Sequence, residues 1–344
     1  MLSRSQYFLL AALALALGVS FFSRSYNPYF LDVAVTCGIN ITLAVSLNLI
    51  NGYTGQFSLG HAGFMGIGAY AAAVITTVFG AKLLPLCGGQ TWILFPLALY
   101  VGGLAASLAG LLVGVPSLRL KGDYLAIVTL GFGEIIRVVL QNVDAVGGAR
   151  GLNGIPEYTN LFWVFGLAAI TIYVVWALVN STYGRGFIAV NDDEGAAEAM
   201  GINTTRYKIT AFVVGAFFAG LAGGVYAHFK QYIAPVGFGF DKSIEIVVMV
   251  ILGGMGRMSG VIVAAAFLSI LPEVLRWFAK SDLLDRGIHL LFSWLSPENF
   301  AIAAAKTKEV FENRMILYSV LIIVLMITRP QGLFTWPLRK SKPA

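Results

Sequence analysis

The sequence predicts an all-α polytopic membrane protein of about ten transmembrane helices, and three observations carry that prediction. Of 344 residues, 58% are hydrophobic and 12% are charged, against roughly a quarter charged in an ordinary soluble domain. Apolar stretches long enough to cross a bilayer, on the order of 20 residues each, recur along the chain with short polar breaks between them. The 39 glycines fit the same class, because small residues let helices approach closely in lipid, as at Gly110/Gly114 and Gly220/Gly224. The length therefore sets a helix count within a single transmembrane domain, residues 1–344, rather than a domain count.

Reading the apolar runs in order places helices near 6–22, 29–50, 57–79, 92–115, 123–143, 161–180, 209–229, 244–256, 260–279 and 315–328. Residues 1–22 carry Arg4 ahead of an apolar stretch, but no small-x-small cleavage pattern follows, so they read as an uncleaved first helix. The run at 244–256 is short for a full span. A broken or re-entrant segment fits it, provided protein or a water-filled path satisfies its backbone. Two cysteines, Cys37 inside an apolar run and Cys87 in a loop, give no disulfide framework.

The formal net charge of +6 points to cytoplasmic loops rather than to nucleic acid. With the N-terminus inside, the dense basic clusters at 182–208 and at the C-terminus fall on one side, which favours N-in and C-in. Arg24, Lys82, Arg150, Lys230 and Lys242 are then assigned to outer loops. The segment 280–314 lies outside as well. Its Lys306, Lys308, Glu309 and Glu312 alternate with apolar residues, as in a periplasmic interfacial helix or a solvated connector.

The most polar run, Ser181 to Lys208, holds Asn191, Asp192, Asp193 and Glu194 ahead of the alanine-rich stretch Gly195 to Gly201. Acids before a helical stretch suit a helix N-terminus, and Met200 and Gly201 suit its end. A short helix of this kind between two spans fits another protein's groove; an ordinary cytosolic loop fits equally well. A second polar run has glycines at 52, 55, 60, 63, 66 and 68 mixed with Gln56, Ser58 and His61. Such a stretch breaks a helix or packs it closely, and broken helices expose backbone groups to a polar solute. His61 reads first as a packing histidine and second as a substrate contact. Glu134 with Arg137, and Glu273 with Arg276, are three residues apart and share a helix face. Glu134, beside Gly131 and Gly133, is a candidate for lining a path, since charge inside a membrane faces a cavity or the bundle interior. His228 and Glu245 read as packing or outer-gate residues.

Four stretches together resemble the LivM-type permeases of branched-chain amino-acid ABC importers. They are Asn51-Gly52-Tyr53-Thr54-Gly55-Gln56-Phe57-Ser58-Leu59-Gly60-His61, Leu120-Lys121-Gly122-Asp123-Tyr124, Tyr183-Gly184-Arg185 through Gly201, and Gly253-Gly254-Met255-Gly256-Arg257. The resemblance implies a type II-like ABC importer permease fold, and the physical reading of the residues sets its candidate translocation path at Gly55, Gln56, Ser58, Gly60, His61, Gly131, Gly133 and Glu134. The resemblance also implies a cytoplasmic coupling loop at 182–208, with Arg185, Asp192, Asp193, Glu194, Ala196, Ala197 and Gly201 engaging an ATPase. The family's Glu-Ala-Ala-x-x-x-Gly pattern is met with Gly195 in its first position and Glu194 one place earlier. A second homologous permease, two cytoplasmic ATPase subunits, an external solute-binding protein and a bacterial or archaeal inner membrane follow from the same likeness.

No metal-ligand constellation and no nucleophile with a nearby base is legible, which argues against an enzyme. The chain has no Gly-Lys dipeptide and so no phosphate-binding Walker loop; no cofactor is expected on it, and ATP is assigned to the partners. Similar permeases carry urea or short amides, which stand as the alternative substrates. A channel or an ion-coupled secondary transporter is the rival class.

Overall fold

A computed structural model describes residues 4–22, 27–86, 88–117, 122–279, 314–328 and 332. The helices, in order, are α1 (Arg4–Phe22), α2 (Pro28–Asn51), α3 (His61–Thr77), α4 (Gly80–Leu86), α5 (Thr91–Ser117), α6 (Asp123–Asn142) and α7 (Leu161–Val179). They continue as α8 (Gly184–Asp192), α9 (Glu194–Ala199), α10 (Thr204–Lys230), α11 (Phe240–Gly253), α12 (Met258–Ala279) and α13 (Arg314–Thr328). Each of the ten predicted apolar runs contains a helix. Five of these, in α2, α5, α7, α10 and α12, are long and apolar enough by themselves to cross a membrane. Residues 280–313 of the predicted segment 280–314, together with Arg24 and Cys87, lie outside the described residues, and Arg314 begins α13.

The centre of the bundle is α2, α3, α5 and α10, and glycine sets how closely they pack. A Cβ added at Gly68 of α3 would stand 2.2 Å from Gly220 Cα of α10, and one at Gly220 would stand 2.5 Å from Ala106 Cβ of α5. The backbones therefore touch, which only glycine allows. Gly110 meets Ala216 in the same seam. α2 is buried from Gly38 to Asn51, including Asn40, Thr42, Ser46, Asn48 and Asn51. Polar groups at those depths must find partners within the protein, and most of them do.

Two departures from the sequence reading shape the interior. The predicted helix at 57–79 begins only at His61, because residues 52–60 form an irregular segment. Gly55 there has φ +66, a left-handed conformation that costs a residue with a side chain about 1–2 kcal/mol. The segment's backbone is satisfied without a helix: Gln56 N donates to Ile50 O (3.1 Å), Ser58 N to Asn51 Oδ1 (3.2 Å) and Leu59 N to Thr129 Oγ1 (3.0 Å).

The second departure concerns the short run near 244–256. Its helix, α11, starts earlier, at Phe240, and has 14 residues, roughly 21 Å against a hydrocarbon core of ~30 Å. The chain reaches it from α10 through a two-residue antiparallel ribbon, β1 (Leu152–Asn153) with β2 (Tyr232–Ile233), and a turn at Pro235–Phe238. Phe238 then packs on Tyr70 and Tyr226. α11 is thus shorter than a full span, with Phe240 and Asp241 exposed at its start and Ser243 of its first turn buried against the bundle. Lys242, expected in an outer loop, sits in its first turn.

Candidate translocation and coupling site

Two helix starts meet through a buried contact. At the head of α3, Ala62 N donates to Ser243 Oγ of α11 (3.3 Å), so the first turn of one half-helix satisfies the first turn of the other. At the head of α11, Phe240 N donates to Glu134 Oε1 of α6 (3.1 Å), while Glu134 Oε2 accepts from Arg137 Nε (2.7 Å). A carboxylate at a helix N-terminus meets unpaired amides and the positive end of the dipole. The expected Glu134–Arg137 pair is present, and its carboxylate has this second task. The pair remains partly open, with Glu134 35% and Arg137 28% exposed.

The glycines expected along the path act as spacers here. A Cβ at Gly60 would stand 2.3 Å from Thr129 O, and one at Gly63 would stand 3.0 Å from Gly133 Cα, so α3 and α6 touch at this level. Gly131 is exposed, with open space around its Cα. Gln56, Ser58 and His61 are buried. Ser46 Oγ lies 2.9 Å from Leu43 O and 2.8 Å from His61 Nε2. His61 Nδ1 has no partner among the described residues, like Gln56 Oε1 and Ser58 Oγ. Three unsatisfied polar atoms within six residues cost about 1–3 kcal/mol each.

The polar run at 182–208 folds as two short helices, not one. α8 buries Phe187 against Tyr183 and Tyr207 and leaves Arg185 exposed. It ends with Asn191 and Asp192, and Asp193 then caps α9 by accepting from Ala196 N (3.0 Å). The end of α9 is closed by Gly201 N to Glu198 O (2.9 Å) and Ile202 N to Ala197 O (3.0 Å), with Gly201 at φ +81, the paired bonds of a Schellman motif. Glu194 accepts from Lys208 Nζ (2.5 Å) and Glu198 from Thr204 Oγ1 (2.7 Å), which bind α9 to the base of α10. Ala197 is buried; Gly195, Ala196, Ala199 and Met200 face outward. Met200, 83% exposed, was expected only to end the helix and proves to be an open apolar side chain.

One contact joins these two regions. Asn191 Nδ2 donates to Gly52 O (3.4 Å), and a Cβ at Gly55 would stand 2.3 Å from Asn191 Oδ1. The end of α8 is therefore seated on the irregular segment that leads to His61. Gly256 N donates to Asn48 Oδ1 nearby (2.9 Å), so the α11–α12 turn is anchored at the same place. The remaining expectations concern packing. Glu245 pairs with Lys242 (2.9 Å), Glu273 with Arg276 (3.2 Å) and Tyr29, and His228 is buried between Thr76 (2.9 Å) and a stacked Tyr158.

The family model described as "Branched-chain amino acid transport system / permease component" matches residues 29–327. The chain is 34% identical over 319 residues to the high-affinity branched-chain amino acid transport system permease protein LivM of Salmonella typhimurium, covering 83% of this chain and 72% of that one. LivM of Escherichia coli K12 gives 33% over the same shares. LivH of Escherichia coli K12, a permease protein of the same system name, gives 27% over 282 residues, 75% of this chain and 89% of that one. No solved structure gives a significant match. A multi-pass helical bundle, matched to the family along most of its length, belongs to the branched-chain amino acid transport system permease family.

Proposed function

We propose that this chain is one of two permease subunits of an ATP-driven importer of branched-chain amino acids in a bacterial or archaeal cytoplasmic membrane. A homologous second permease completes the path, two cytoplasmic ATPases bind the α8–α9 region, and an external binding protein delivers the solute. The observation that carries the reading is the Asn191 contact. A capped, outward-facing helix pair suited to a partner's groove rests directly on the irregular segment 52–60 at the root of α3. Movement imposed on α9 has a short mechanical route, through Asn191, to the meeting point of α3, α6 and α11.

In this scheme ATP closes the ATPases, α9 follows, and the 52–60 segment with α11 rearranges so that a path opens alternately to either side. Discontinuous helices suit that task because their free ends and unwound backbone present polar groups at membrane depth. The unsatisfied atoms of Gln56, Ser58 and His61 are the groups best placed to gain partners in the other conformation. Relatives named for branched-chain amino acids support that solute class over urea or short amides. The test is affinity purification of the tagged chain from native membranes in mild detergent. Recovery of two ATPases and a second permease, with hydrolysis stimulated by a loaded binding protein, is the expected result. Recovery of the chain alone, transporting without ATP, refutes it.

A further inference from the structure

Contacts between helices fix how deep α6 and α11 stand. α10 is long enough to cross the membrane, and α5 runs antiparallel to it: Gly103 meets Phe217 and Leu221, and Gly110 meets Phe212 and Ala216. The end of α5 and the start of α6 therefore share the side on which α9 lies. The end of α6 leads to the Gly148–Arg150 turn and to β1, which pairs with β2 at the opposite end of α10. α6 thus crosses the bundle, 20 residues and roughly 30 Å long, with Glu134 just past its midpoint. The bond from Phe240 N to Glu134 Oε1 sets the start of α11 at the same level. The turn Pro235–Phe238 lies between that level and the β1–β2 end.

Both elements are open at that depth. The Glu134–Arg137 pair is partly exposed, and in the turn Val236 (69%) and Gly237 are exposed. Hydrocarbon does not cover ionised side chains or a turn of non-helical backbone; protein or enclosed water does. On α6 itself, Tyr124, Ile127, Gly131, Ile135 and Val138 follow at spacings of three and four and form one exposed face. Gly131 stands at its centre with nothing within 4 Å of an added Cβ, a notch where another helix can approach closely. The exposed side of α5 differs. Leu97, Leu104, Leu108 and Leu112 lie there without a charge among them, as on a lipid-facing surface.

We infer that the second permease docks on this face, the α6 ridge from Tyr124 to Val138 together with the Pro235–Phe238 turn. The inference rests on the importer reading above and adds to it the surface through which the two permeases meet. A partner of the same fold pairs most simply through matching surfaces about an approximate two-fold axis, which sets its counterpart of α6 across Gly131. The apolar ridge carries the contact. Glu134 and Arg137, at the edge of the ridge beside α11, then face water held between the two subunits rather than lipid, as their charge requires.

The experiment uses the complete importer in native membranes, with this chain and the second permease carrying different tags. Ile127 or Ile135 is replaced by the photoreactive amino acid benzoylphenylalanine, and Leu108 of α5 serves as the lipid-facing comparison. Irradiation is expected to join the two permeases from Ile127 and from Ile135 and not from Leu108. Gly131→Phe is expected to lower recovery of the second permease about tenfold or more, equivalent to about 1.4 kcal/mol, while the yield and melting temperature of the tagged chain stay unchanged. The cross-links need no change at Gly131 and so test the face even where that variant fails to fold. Adducts from Leu108 alone, adducts from α6 with a second copy of this chain, or no adduct from α6 while the second permease co-purifies each overturn the assignment. If the unmodified chain brings down no second permease, the importer reading fails first and takes this inference with it.

Discussion

Replacing Gly55 with alanine tests the link between α8 and the 52–60 segment. At φ +66 any side chain costs about 1–2 kcal/mol. The new Cβ would also lie 2.3 Å from Asn191 Oδ1, inside any tolerable contact. Asn191 must then swing away and give up its bond to Gly52 O, worth about 1 kcal/mol. The sum, roughly 2–3 kcal/mol, disfavours this conformation by a factor of about 30 to 150. The variant should insert and assemble normally while transporting fewer solute molecules per ATP hydrolysed. Uptake and hydrolysis measured together in proteoliposomes give that ratio. A double-mutant cycle with Asn191→Ala isolates the contact, because alanine at 191 removes the clash and leaves only the backbone term. We expect a coupling of about 1 kcal/mol between the two sites. An unchanged ratio in Gly55→Ala, or strictly additive effects in the cycle, would refute the mechanical role given to this contact.

Three other outcomes follow from the geometry. Met200→Asp places a charge on the open apolar tip of α9 and should weaken ATPase recovery at least tenfold in a pull-down while leaving thermal stability of the isolated chain within about 0.5 kcal/mol. Gly68→Val drives a branched side chain into the Gly220 backbone and should lower the melting temperature in detergent, by about 1–3 kcal/mol of stability or more; an unchanged melting curve contradicts the close α3–α10 packing. Glu134→Gln retains an acceptor for Phe240 N but strands Arg137, and should reduce uptake with little loss of assembled complex, read by size exclusion alongside transport.

Much of this was legible in the residues. Hydrophobic length and spacing found every long span, and the glycine-rich stretch after Asn51 signalled a broken helix. Placing the helix start at 57 rather than 61 was an error of hydrophobicity: Phe57 and Leu59 are apolar, yet Asn51 and Thr129 supply the bonds that hold them outside the helix. The capping acids before α9 were readable, but the break between α8 and α9 was not. Asn191 and Asp192 finish one helix, and only Asp193 starts the next. Lys242 passed as an outer-loop charge because polar residues beside an apolar run normally mark a membrane boundary. What places the start of α11 against the bundle is a set of contacts from Lys242 to Asn40, from Phe240 to Glu134 and from Ser243 to Ala62, each spanning more than 100 residues of sequence. No local pattern encodes that.

The central claim is that ATP hydrolysis outside this chain drives a solute through it by way of α8 and α9. Its most direct test is leucine accumulation in proteoliposomes holding the purified complex, with ATP on the ATPase side and loaded binding protein on the other. The account predicts uphill uptake that needs both, and that stops when the ATPases are omitted. Uptake that continues down its gradient with the ATPases removed would contradict it and make the chain a channel.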